Sequence, residues 1–223
     1  MKTISILENR KVRQCLSLFG LFGILFYFLH IVLGSIFYKG YNPFAQAISD
    51  LTASNSPSRN IASIFSFIYG IFSVIFTFWF FIYFRNKINK MISFGSCFLF
   101  IMNVISFFGY SFFPLSEAGF NNAFQDKMHI VVTVFVVVFT IIALIFLGFG
   151  FIKTREYKFI GIISLCTFLL LILGTILLNI VPKEYFGVAE RINVYSIVIY
   201  TGILSLWMHK YIKNIMFRNV LTK

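Results

Sequence analysis

Residues 128–152 read MHIVVTVFVVVFTIIALIFLGFGFI and contain no Asp, Glu, Lys or Arg. At about 1.5 Å of rise per residue, a helix of this length crosses a hydrocarbon core of about 30 Å. A membrane β-strand would be roughly half as long and would alternate apolar with polar. This run is continuous, so it predicts a transmembrane α-helix.

Working outward, runs of the same kind fall at 16–37, 61–84, 91–113, 159–181 and 191–209. Together with 128–152 they predict an all-α bundle of six transmembrane helices. Nothing between them is long enough for a separate soluble domain, so 1–223 is expected to be one membrane domain. The composition agrees: mean hydropathy is +0.90 and only 12% of residues are charged. The basic N-terminus precedes an apolar run too long for a secretory signal, so an uncleaved first span is expected. Cys15, Cys97 and Cys166 all lie in or at apolar runs, which argues against a structural disulfide.

Charge predicts sidedness. Fourteen of the 19 Lys and Arg residues fall in the two tails and the turns at 85–90 and 153–158. Five fall on the other side: Lys39, Arg59, Lys127, Lys183 and Arg191. The bias places both termini in the cytoplasm of a multi-pass cell-membrane protein, with a prokaryotic plasma membrane expected. The acids Asp50, Glu117, Asp126, Glu184 and Glu190 all fall outside, so the net charge of +12 is carried inside. That basicity suits anionic inner-leaflet lipid. It is spread over four short segments without a nucleic-acid motif, so no nucleic-acid partner is expected.

The outer loops hold the candidate site. In the first, Asn42-Pro43 is a helix-start pair, and Phe44, Ile48 and Leu51 share a helical spacing. A short amphipathic helix over about 43–51 is expected to roof the bundle, with Ser49 and Asp50 beside its apolar stripe. An acid near a helix C-terminus needs a partner, either Arg59 or a residue of another loop. In the second loop, Asp126 and His129 stand at i and i+3 at the mouth of the fourth helix. They form either an ordinary helix start or a carboxylate orienting an imidazole. In the third, Glu190 and Arg191 open the sixth span, followed by Asn193. A cation there needs an acid from a neighbour or an anionic lipid headgroup. His30, Asn103 and Asn179 lie within spans, where interhelical hydrogen bonding is expected. A zinc site assembled from these residues would be short of nitrogen and sulfur. No metal and no cofactor is expected.

Three stretches taken in order, "AISDL…SPSRNIASIFSFIYGI" (47–71), "QDKMHIVVTVFVVVF" (125–139) and "FGVAERINVY" (186–195), resemble the prokaryotic membrane family called domain of unknown function 998. The resemblance covers about 20–210. It implies six helices, an S-D-L motif after the first, a His opening the fourth and an E/Q-R pair at the sixth. A more distant likeness is to damage-regulated autophagy modulators and GPI-anchor remodelling factors. Those carry Pro-Glu where this chain has Pro57-Ser58-Arg59. The likeness implies membrane-lipid handling centred on Ser49, Asp50, His129, Glu190 and Arg191.

Two functions follow as expectations. One is a polar outer pocket that binds or handles membrane lipid, with Arg191, Glu190 and Asn193 at the headgroup. The other is an intramembrane lipid hydrolase or acyltransferase with His129 as base, Asp126 or Asp50 as its orienter and Ser49 as nucleophile. A small-solute transporter would need a path past Asn103. Oligomeric state is left open.

Overall fold

A computed structural model describes residues 9–221. Lys2, Glu8 and Lys223 of the charge argument lie outside the described residues, as do the side chains of Arg10 and Arg218. Six long helices follow one another: α1 (Arg10–Phe37), α2 (Arg59–Phe84), α3 (Lys90–Phe112), α4 (Phe124–Ile152), α5 (Lys158–Ile180) and α6 (Phe186–Leu221). All six are long and apolar enough to cross a membrane. Asn9 and Asn89 cap α1 and α3, each accepting a backbone N–H of the first turn.

Each helix packs chiefly on its neighbours in sequence, and α6 closes on α1. The result is a ring. Small residues bring the backbones together: a Cβ on Gly161 of α5 would sit 2.8 Å from the Gly148 carbonyl of α4. One on Gly174 of α5 would sit 2.7 Å from the Asn193 backbone nitrogen of α6.

Six equal cylinders in a ring enclose a space about as wide as one of them, roughly 10 Å. In the half next to the short turns, bulky side chains fill it. Phe76, Phe80, Phe84, Leu99, Leu144 and Leu147 are fully buried there. Phe84 of α2 reaches Phe151 of α4 at 6.1 Å and Trp207 of α6 at 5.8 Å. This plug ties together helices that are not neighbours in the ring.

Three expectations need correction. Residues 43–51 do not form an amphipathic helix. Asn42 Oδ1 accepts Phe44 N–H and the chain makes one turn, but only Ser49–Thr52 is helical, as a single 3-10 turn. The carbonyls and amides around it are taken by other loops, which rewards an irregular path more than a regular one. Second, α6 begins at Phe186, five residues before the expected start. Pro182 and a 3-10 turn at Lys183–Tyr185 lead straight into it, so Glu190 and Arg191 stand in its second turn. Third, Asn103 and Asn179 donate to Leu99 O and Thr175 O of their own helices, not across to a neighbour.

Candidate functional site

At the long-loop end, the first loop lies across the mouth of the ring and is stitched to the other two. Leu51, fully buried, packs against Gly34 of α1, which also faces Ala62 of α2. Its carbonyl accepts the Ser58 hydroxyl at 2.8 Å. Ser54 N–H donates to Leu115 O of the second loop at 2.8 Å, and Val188 N–H of α6 to Phe44 O at 3.2 Å. The 48–52 segment is therefore a lid held on three sides.

Asp50 is central to it. Its Oδ2 accepts Ala47 N–H at 3.0 Å and its Oδ1 accepts Gly119 N–H of the second loop at 3.1 Å. The partner is thus another loop; Arg59 donates instead to Ser54 O. Burial pushes the Asp50 carboxyl above the usual carboxylate range, against the two N–H donors and the fields of Arg191 and His129. Ser49, beside it, makes no hydrogen bond with His129; its carbonyl accepts Thr52 OH.

Asp126 and His129 face different partners. The fully buried Asp126 carboxylate accepts Ser116 N–H at 2.6 Å, Ser116 OH at 2.8 Å and Asn121 N–H at 2.8 Å, which shapes the second loop. His129 Nδ1 lies 2.8 Å from Phe113 O, so a proton on Nδ1 is donated to that carbonyl and Nε2 becomes the basic nitrogen. The Tyr110 ring packs against the imidazole at 4.8 Å, and Tyr110 OH donates to Thr133.

The first turns of α6 supply two anchors. Glu190 Oε2 accepts Ile48 N–H at 2.6 Å, fastening the lid to α6. The Arg191 guanidinium donates through Nη1 to Gln46 O at 3.0 Å and to Gly187 O at 2.8 Å. Its Nη2 donates to Tyr41 OH at 2.6 Å. Carbonyls and a phenol meet the cation, and among the described residues no acid pairs with it. Its Nε–H and one Nη2–H make no bond to the described residues. Burial raises the Tyr41 phenol to about 12, with Arg191 opposing. Asn193 turns away from this corner: its amide donates to Thr175 Oγ1 of α5 at 2.7 Å.

Beside Arg191 runs a groove of about 310 Å3 lined by Pro43, Phe44, Val188, Arg191, Ile192 and Tyr195. The accessible surface of its walls is apolar. Sequence reasoning passed over Tyr41, Gln46 and Tyr195. Tyr41 alone left a trace, as an aromatic in a polar loop next to a helix-start pair.

The sequence matches the family described as protein of unknown function (DUF998) over residues 21–207. No curated protein and no solved structure is matched.

Proposed function

The chain belongs to the DUF998 family, and from that premise we propose that it binds a membrane lipid at its long-loop end. The groove beside Arg191 carries this reading. An acyl chain would lie against Phe44, Val188, Ile192 and Tyr195. A phosphate of the headgroup would take the Nε–H and Nη2–H of Arg191 as a two-pronged charge-assisted contact. Glu190 and Asp50 hold the lid that fixes Arg191, and Asn193 supports α6 from the α5 side. The face is the outer one by the charge bias of the loops.

Native mass spectrometry of the detergent-purified chain tests this. Anionic phospholipid is expected to remain bound in preference to a zwitterionic one. Ile192→Trp fills the groove without touching the Arg191 hydrogen bonds and should strip the adduct. Equal retention of lipid by Ile192→Trp and the parent chain would refute the groove.

One observation favours a second reading, a lipid hydrolase or acyltransferase. The contact from His129 Nδ1 to Phe113 O fixes Nε2 as a base. The nucleophile would be water or a repositioned Ser49. His129→Ala should then abolish release of fatty acid from supplied phospholipid. Absence of any such release by the parent chain ends this reading and leaves the binding one intact.

A further inference from the structure

We propose that the turn between α2 and α3 binds a phosphate-bearing anion through Arg85, Lys87 and Lys90, with Ile88 as the apolar contact beside them. The turn lies at the short-turn end, opposite the groove, and the proposal does not rest on the groove. Residues 85–90 carry three cations and no acid. All three cations are exposed, and none forms an ion pair among the described residues.

The backbone of the turn is held in a shape its sequence does not favour. Asn86 and Ile88 have φ of 62° and 64°, in the left-handed region. Asn tolerates that region, but a β-branched residue such as Ile does not. The surroundings enforce it. Arg85 N–H donates to Phe81 O at 2.7 Å and Lys87 N–H to Phe84 O at 3.0 Å, which closes the end of α2. Asn89 Oδ1 accepts Ile92 N–H at 3.0 Å, and its Nδ2 donates to Gly150 O of α4 at 2.8 Å, which fixes the start of α3. Backbone strain of this kind clusters at ligand clamps. Here it leaves an isoleucine 40% exposed between Lys87 and Lys90.

Lys87 is held as well. Its Nζ stands 3.7 Å from the centroid of the buried Tyr83 ring. The ammonium makes no hydrogen bond to the described residues, so its N–H donors are free for a ligand. Burial pushes the Lys87 amine below its usual range, and the field of Arg13 acts the same way. A bound anion offsets both. Phosphate suits the set: the Arg85 guanidinium matches two of its oxygens side by side, and the two lysines act as point charges. The phosphate can belong to a lipid headgroup or to a free ion. Ile88 bears on the source, since an apolar side chain among cations suits the boundary between headgroups and acyl chains. The charge bias places this end at the inner leaflet, where anionic lipid attracts cations.

The test takes the Ile192→Trp chain, whose groove is filled. Native mass spectrometry reads its retention of phosphatidylglycerol against phosphatidylcholine, and calorimetry reads its binding of inorganic phosphate. Phosphatidylglycerol should be retained in preference. Arg85→Gln, Lys87→Gln and Lys90→Gln should each lower affinity about fivefold. Lys213→Gln removes an exposed cation of α6 at the same end and should leave affinity unchanged. Ile88→Asn accepts the left-handed backbone, so Tm should hold or rise while affinity for lipid falls. Binding of phosphatidylglycerol assigns the headgroup, and binding of inorganic phosphate alone assigns a free ion; either supports the site. Failure of both to bind overturns it. So does equal retention of phosphatidylcholine, or a loss in Lys213→Gln equal to that in Lys87→Gln, which marks diffuse charge rather than a site. A lowered Tm in Ile88→Asn also overturns it, because Ile88 is then kept for packing. The parent chain should carry one more lipid than Ile192→Trp, and Lys87→Gln acts on the one that remains, so the groove and the turn fail separately.

Discussion

Replacing Asp50 by Asn changes one atom of the lid and should open it. In the parent chain each carboxylate oxygen accepts a backbone N–H, one from Ala47 and one from Gly119. An Asn side chain offers one oxygen and one NH2. One N–H is then left facing a donor, in a residue only 3% exposed. Stranding a buried donor costs about 1–3 kcal/mol, and Asp50→Ala, which strands both, costs more. The loss falls on the seam between the first and second loops rather than on the helix packing. It should appear as local opening, with amide protection over 44–54 and 113–123 falling roughly 5- to 150-fold. Hydrogen exchange read by mass spectrometry in nanodiscs measures this peptide by peptide. The pH dependence has a definite sign. Burial raises the folded pKa of Asp50 above its unfolded value. Its contribution is therefore fully present below the ordinary carboxylate pKa and is lost as pH rises through the folded value. Corrected for intrinsic exchange, lid protection in the parent chain should decline across that window, and in Asp50→Asn it should stay flat. Unchanged protection in both the Asn and Ala variants, with no change in slope, would refute the assignment of Asp50 as the latch.

Further outcomes follow from single contacts. Arg191→Lys cannot reach Gln46 O, Gly187 O and Tyr41 OH together, so the lid should lose about 1–2 kcal/mol, seen as faster exchange over 41–48. His30→Leu removes two buried ring nitrogens that have no partner, and should leave Tm in detergent unchanged or raised by the equivalent of about 1–2 kcal/mol. A fall in Tm would show that His30 has a role in holding the fold. Gly161→Ala pushes a methyl against the Gly148 carbonyl and should destabilise the α4–α5 contact by about 1–3 kcal/mol, lowering Tm. In a cysteine-free background, single cysteines at Asn55, Asn121 and Glu184, all exposed, should react with an impermeant thiol reagent in intact cells. Cysteines at Lys90 and Glu156, also exposed, should not, and labelling there would reverse the topology.

The helices were legible because a membrane span is a local property. Length and hydropathy decide it residue by residue, and 128–152 announces itself without any knowledge of its neighbours. The helix ends were less legible: α6 extends beyond its apolar run at both ends, since a helix carries on through Lys210 into water as readily as through lipid. Charge marked Asp50, Asp126, His129, Glu190 and Arg191 as residues needing an explanation. It could not say which donors each would meet. Asp126, one of the two acids placed to orient His129, is bound to Ser116 and Asn121, and the cation expected to meet an acid or an anionic headgroup is met by carbonyls and Tyr41. Those pairings span up to 150 residues of chain and depend on how three loops cross. Tyr27 shows the same limit: a tyrosine in an apolar run looks the same whether its ring meets lipid or a neighbouring helix, and only the fold sets it edge-on against Tyr69 of α2. Only the closing of α6 on α1 makes a ring with an inside, and that closure is a contact between the two ends of the sequence.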